Sequence, residues 1–129
     1  MDLDKIAELF GVQVIETNDL RPGWNGMYLH QVRIILLKKG MDPWKRRSVL
    51  AHELGHAYYQ DESHGDTRIE KRADQYAARL LISKDAYRAA EEIHGPHLGA
   101  LAHELGVTPK LVVEWRDYYS RILPIERGS

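Results

Sequence analysis

The chain contains no cysteine among its 129 residues. Disulfide bonds are therefore excluded, and so is any zinc site built on thiolate ligands. A transition metal bound by this protein must take its ligands from histidine, aspartate and glutamate. The sequence contains seven histidines and 19 acidic residues, so ligands of these types are plentiful.

Long hydrophobic runs are also missing. The longest apolar stretch, residues 34–37, is far shorter than the roughly 20 residues that span a bilayer. The N-terminus, Met1-Asp2-Leu3-Asp4-Lys5, is acidic and amphipathic, whereas a secretory signal begins with basic residues and continues as an apolar segment. We therefore expect a cytoplasmic protein. The formal net charge of −1 gives no overall attraction for nucleic acid or for an anionic membrane.

The composition is that of a globular protein, with 43% hydrophobic and 29% charged residues. The length predicts a single domain, residues 1–129. Apolar spacing, β-branched runs and turn residues predict an α+β fold, in which a small antiparallel sheet of about three strands packs on a helical bundle. Helices are predicted at about 2–10, 43–60, 68–82, 84–93, 98–105 and 109–123, and strands at 12–17, 26–30 and 32–38.

One segment of the predicted helix 43–60 indicates a chemistry. His52, Glu53 and His56 form an H-E-x-x-H pattern. Residues four apart lie on one helical face, so both imidazoles can reach one metal, while Glu53 lies roughly 100° from His52 and can serve as a general base. Without further ligands, an exposed helix with a solvated ion pair explains the pattern equally well.

A catalytic zinc ordinarily has three protein ligands, so a third donor is needed. The metzincin position six residues beyond the second histidine is Glu62, and Tyr59 replaces the expected glycine, so that class is excluded. His64 belongs to a predicted polar loop. Glu70 is the stronger candidate, because the next predicted helix can cross the first one and present Glu70 and Asp74 from one face.

These two carboxylates have different expected roles. Asp74 can accept a hydrogen bond from a ligand histidine, which fixes the tautomer of the imidazole. Glu70 has a competing structural role, because Thr67-Arg68-Ile69-Glu70 fits a capping box, in which the glutamate turns back to the helix start. We favour the ligand role, since the two predicted helices would otherwise hold only two metal donors.

The sequence resembles the ImmA/IrrE group of metallopeptidases, which are similar around the metal to gluzincins. The resemblance covers roughly residues 12–116, and Ile82-Ser83 departs from it where the family tends to have Met-Pro. It is carried by His52-Glu53-Leu54-Gly55-His56-Ala57, by Glu70-x-x-Ala73-Asp74-x-Tyr76-Ala77-Ala78-x-Leu80-Leu81, by Arg47-Ser48-Val49-Leu50-Ala51, by Gly26-x-Tyr28 before Ile34-Ile35-Leu36, and by Ala102-x-x-Leu105-Gly106-Val107-Thr108.

The resemblance implies Zn²⁺ as cofactor and His52, His56 and Glu70 as its ligands. It implies Glu53 as general base and Asp74 as the partner that orients a ligand histidine. Members of the group are regulatory peptidases of bacteria, phages and mobile elements that cut or otherwise inactivate a helix-turn-helix repressor. The expected substrate is therefore a protein.

Two parts of the site stay open at the level of sequence. The donor that stabilises the developing oxyanion could be any of four candidates: Tyr58, Tyr59, His64 and Tyr76. An extended substrate is expected to bind along an exposed edge strand, for which residues 32–37 are our candidate.

Residues 98–115 suggest a rival function, because their apolar and glycine spacing is that of a DNA-binding helix-turn-helix. From residue 98 onward there are four basic and four acidic residues, however, which leaves no net positive charge to hold phosphates. We interpret the predicted helices at about 98–123 as a packing or protein-contact element. A third hypothesis is a zinc-bound antirepressor that binds a repressor without cutting it.

Overall fold

A computed structural model describes residues 2–63 and 65–127, and His64 lies outside the described residues. The α+β class is confirmed. None of the helices in the described part of the chain is long and apolar enough to cross a membrane. The elements, in chain order, are α1 Leu3–Leu9, β1 Gln13–Thr17, β2 Gly26–Leu29, β3 Ile34–Lys38, α2 Pro43–Tyr59, α3 Thr67–Leu81, α4 Lys84–His94, α5 Leu98–Leu105 and α6 Pro109–Arg127.

The three strands form a mixed sheet in the order β1-β3-β2. The predicted antiparallel pairing is right for β2 and β3, but β1 runs parallel to β3. Residues 18–25 between β1 and β2 are long enough to carry the chain past the position of β3. The predicted edge at residues 32–37 is therefore wrong: β3 is hydrogen-bonded on both sides, and the edges are β1 and β2. Ile35 and Leu37 of β3 are fully buried.

Helix α2 begins and ends as predicted. Pro43 occupies its first position, although the side chain of Asp42 makes no capping hydrogen bond. At the other end Gln60 adopts a left-handed conformation with φ of 56°. The N–H of Gln60 donates to the carbonyl of Ala57, and the N–H of Asp61 donates to the carbonyl of His56 over 2.9 Å. These two bonds form a Schellman motif, which turns the chain back toward the end of the helix.

Small residues allow α2 and α3 to approach closely. Ala73 and Ala77 are fully buried, and a Cβ atom added to Gly55 would lie only 3.0 Å from the Cα of Ala73. Helix α3 begins after Asp66, whose side chain accepts a hydrogen bond from the N–H of Arg68. Thr67 is therefore the first helical residue rather than the cap, and the capping-box interpretation of Glu70 is wrong.

The last two helices, α5 and α6, are joined to the rest of the molecule by a buried tryptophan of α6 and by hydrogen bonds to the turn between them. Trp115 stacks between Tyr87 and Tyr119, and its Nε1–H donates to the carbonyl of Ile82. Helix α6 continues beyond the predicted end at residue 123. The turn between α5 and α6 is held on α2, because the guanidinium of Arg47 donates to the carbonyls of residues 105 and 106.

Candidate metal centre

Three donor atoms converge where α2 faces the first turns of α3. Nε2 of His52 and Nε2 of His56 lie 3.1 Å apart, and Oε2 of Glu70 lies 2.8 Å from the first and 3.0 Å from the second. The two histidines are one turn apart on the same helical face, and the close packing of α3 supplies the carboxylate. The structure thus brings together the three residues that were predicted as ligands, close enough to hold one metal ion.

Each histidine is oriented by a second carboxylate on its other ring nitrogen. Nδ1 of His52 lies 2.7 Å from Oδ1 of Asp74, and Nδ1 of His56 lies 3.0 Å from Oδ2 of Asp61. An ionised carboxylate only accepts hydrogen bonds, so each Nδ1 carries the proton and donates it. A neutral imidazole in this arrangement directs the lone pair of its Nε2 atom toward Glu70.

The chemistry of this donor set fits a zinc ion. Two nitrogen lone pairs and a carboxylate oxygen within 3.1 Å repel one another unless a cation lies between them. Ligands held about 2.0–2.1 Å from a tetrahedral zinc are about 3.3–3.4 Å apart, which is close to the separations here. Nitrogen and oxygen donors in this number are those of a catalytic zinc, with one position left for a reactant.

In the absence of a metal, a proton relieves the same repulsion. Burial opposes a charge on His52, but hydrogen bonds to Asp74 and Glu70 outweigh it and raise the pKa of this imidazole to about 10. The hydrogen bond from His52 lowers the pKa of Glu70 to about 2, against the opposing effect of burial. A metal must displace this proton when it binds, because only the deprotonated Nε2 atom is a ligand.

Glu53 lies beside the ligands and is buried. Burial raises the pKa of its carboxyl group, although the two neighbouring histidines oppose this effect. The start of β2 comes unusually close, since a Cβ atom added to Gly26 would lie 2.7 Å from Cγ1 of Val49 and 3.2 Å from Oε2 of Glu53. Glycine at position 26 therefore lets the edge strand reach the carboxylate.

His52, Glu53 and Glu70 open into a cleft of about 590 Å³. Its walls are residues 23–26 before and at the start of β2, one face of α2, Glu70 and Asp74 of α3, and residues 108, 110 and 111 at the start of α6. Lys110 brings a positive charge to this wall, and its Nζ atom lies 3.1 Å from Oδ2 of Asp74. The start of α6 thus helps to build the cleft.

The predicted tyrosine donors lie elsewhere. Tyr58, Tyr59 and Tyr76 line a separate cavity with Arg79 and Leu80, and none of the three lines the cleft. The prediction for His64 falls on a residue outside the described ones.

Two contributors to the centre were missed at the level of sequence, Asp61 and Lys110. Asp61 follows the predicted end of α2 by one residue, and a carboxylate at that distance from His56 was the available signal. Lys110 is distant in sequence from the motif, and only the packing of α6 against α3 brings it to Asp74.

Comparisons with known proteins support the same assignment. Residues 7–114 match the model of the peptidase M78 family, described as the IrrE N-terminal-like domain. No curated protein matched the chain. The match includes all three β-strands, both helices that carry the donor atoms and the start of α6, so the chain belongs to the M78 family of metallopeptidase-type proteins, the IrrE N-terminal-like family.

Proposed function

We propose that the chain is a zinc-dependent endopeptidase that hydrolyses a peptide bond in a protein, and that this protein is a helix-turn-helix transcriptional repressor. One observation carries the proposal: the Nε2 atoms of His52 and His56 and the Oε2 atom of Glu70 meet within 3.1 Å, beside the buried carboxylate of Glu53. Membership of a peptidase family supports it. A repressor is found in the cytoplasm, so the proposal requires a cytoplasmic enzyme.

Glu53 is the residue that moves protons. When bound, zinc acts as a Lewis acid that makes water nucleophilic near neutral pH and polarises the peptide carbonyl. Glu53 accepts the proton of the attacking water and later delivers it to the leaving amine.

The edge of β2 that has no strand partner is our candidate for the substrate-binding strand. Among the residues that the structure describes, β2 pairs on one side only, with β3, and its first residue, Gly26, adjoins Glu53. A peptide added to the free side in extended form would gain main-chain hydrogen bonds and pass in front of the donor atoms. This placement replaces β3, which has no free edge.

The DNA-binding alternative has less support. In a helix-turn-helix, the first residues of the second helix read base edges, and here those residues belong to α6. Leu111 and Val112 are buried, and Lys110 is paired with Asp74 at the metal centre. One face of the helix start is therefore packed into the core, and its lysine is engaged at the metal centre. The remaining alternative is a zinc-bound antirepressor that binds a repressor without cutting it, and the experiment must distinguish it from a peptidase.

Replacement of Glu53 by Gln tests catalysis. The parent protein and Glu53→Gln should each hold about one zinc per chain by elemental analysis, because the substitution leaves all three donor atoms in place. The parent should cleave a candidate helix-turn-helix repressor, and the variant should not. Glu92→Gln, the same change at an exposed position of α4, is the matched control and should cleave normally.

Two outcomes would contradict the proposal. Cleavage by Glu53→Gln at the parent's rate would remove the assigned base. If the parent and the variant both bind the repressor, both carry zinc and neither cuts, the protein is a zinc-bound antirepressor instead.

A further inference from the structure

His56 is held in a part of the protein that solvent hardly reaches. Its side chain is 2% exposed, whereas that of His52 is 18% exposed. The residue that contacts its Nδ1 atom is Asp61, which is also buried. A buried N–H group without an acceptor destabilises the folded protein, so the position of Asp61 matters to the ring.

The Schellman motif at the end of α2 is what brings Asp61 to this position. The left-handed Gln60 reverses the chain, and the N–H of Asp61 donates to the carbonyl of His56, the residue whose ring its carboxylate contacts. Backbone and side chain of Asp61 thus both bond to His56. This double contact restricts the side-chain rotation of His56.

A cation from α3 completes the arrangement. The guanidinium of Arg72 forms an ion pair with Oδ1 of Asp61, which leaves Oδ2 for His56. The same guanidinium lies over the ring of Tyr59, with 4.0 Å between its central carbon and the ring centroid. Contact with the aromatic face and the carboxylate holds the guanidinium in place, and its charge offsets the cost of burying Asp61.

We infer that Asp61 is a positioning residue for the metal ligand His56, and that Arg72 holds the carboxylate of Asp61 in its orientation. The inference rests on the proposed zinc site and adds two residues to it. Asp61 fixes the proton of His56 on Nδ1 and so keeps Nε2 available to the metal, and its negative charge makes the imidazole a stronger ligand. An asparagine would keep the shape but lose the charge, and its amide could donate to Nδ1 and favour the unproductive tautomer.

The test is zinc affinity, measured on the full chain by competition with a chromophoric chelator. Asp61→Asn should bind zinc about 10–100-fold more weakly than the parent, as is typical for partners of ligand histidines. Asp19→Asn, the same change at an exposed turn position, should bind as tightly as the parent. The absorption spectrum of the cobalt-substituted protein should also change in Asp61→Asn alone, because the geometry of one ligand changes.

A purely structural ion pair predicts a different result. If Asp61 only closes the end of α2, Asp61→Asn will unfold at a lower urea concentration but bind zinc and give a cobalt spectrum like the parent, and the inference is then wrong. Should Asp61→Asn fail to fold, as judged by near-ultraviolet circular dichroism, Arg72→Gln decides instead. This variant should show a smaller loss of zinc affinity than the range above, and unchanged affinity would overturn the inference.

The same measurements separate this inference from the proposed function. A parent protein that binds no zinc contradicts the proposed function, whatever the variants do. A parent that binds zinc together with an Asp61→Asn variant of equal affinity leaves the proposed function intact and contradicts only the role of Asp61.

Discussion

Each histidine of the centre belongs to a chain of three residues, a histidine, a carboxylate and a cation, which we call an arm. The two arms make the same contacts but differ in their surroundings. In each arm, an imidazole donates through Nδ1 to a buried carboxylate, and that carboxylate pairs with a cation. In the first arm, His52, Asp74 and Lys110 come from three different helices. In the second arm, Asp61 lies only five residues from its histidine.

This difference indicates which property of the centre each group of residues controls. The histidine and the carboxylate of the His56 arm are buried and depend on the turn at the end of α2. Its cation, Arg72, is held in place by contact with the ring of Tyr59. The His52 arm faces the cleft and ends in a lysine whose side chain is 68% exposed. We therefore expect the His56 arm to set metal affinity, and the His52 arm to respond to what enters the cleft.

Removal of the oxygen shared by the two arms should have the largest effect. Oε2 of Glu70 contacts the Nε2 atoms of both histidines. In Glu70→Ala only two donor atoms remain, fewer than a catalytic zinc ordinarily takes from protein, so zinc should fall from about one per chain to near zero after dialysis. Elemental analysis is the measurement, and Glu8→Ala on the exposed face of α1 is the control. Full zinc content in Glu70→Ala would remove Glu70 from the site.

Replacement of either carboxylate that orients a histidine should have the next largest effect on zinc binding. Asp74→Asn should weaken zinc binding by about 10-fold, at the low end of the range for such partners. Asp61→Asn should lie nearer the high end. The reason is the exposure of the two histidines. The side chain of His52 is 18% exposed, so water can replace part of the hydrogen bond lost in Asp74→Asn, whereas the side chain of His56 is 2% exposed and water hardly reaches it. Chelator competition on both variants measures the difference, and a loss in Asp74→Asn equal to or larger than that in Asp61→Asn would reverse the proposed order of the arms.

Much of the cluster could be predicted because it depends on helical periodicity. The spacing of His52 and His56 fixes their common face, and the four-residue spacing of Glu70 and Asp74 does the same on α3. These relations are local and need no knowledge of strand order. The helix limits were also largely predictable, since Pro43, Ser83 and Gly95 act within a few residues of the ends.

What could not be predicted depends on contacts that no local pattern encodes. Alternation along β1 indicates a strand but does not specify its partner, so the parallel pairing with β3 was missed. Asp61 lies just beyond the predicted helix, and the sequence does not indicate the turn that brings it back, because the left-handed residue before it is Gln60 rather than a glycine. Lys110 reaches Asp74 only through the packing of α6 on α3.

The smallest expected effect concerns the two cations that support the arms. Lys110→Met removes an exposed partner, and such pairs contribute about 0–1 kcal/mol to the free energy of unfolding, with less at high salt. Arg72→Gln should cost more, about 1.5–3 kcal/mol, because the guanidinium is less exposed than the Lys110 amine, contacts the ring of Tyr59 and donates a hydrogen bond to the charged carboxylate of Asp61. Urea unfolding of the metal-free protein at low and high salt measures both, with Lys5→Met on α1 as control for loss of an exposed lysine. If Lys110→Met destabilises the protein as much as Arg72→Gln, and does so at high salt as well, then α6 supports the centre as firmly as the local turn does, and the two arms are equivalent.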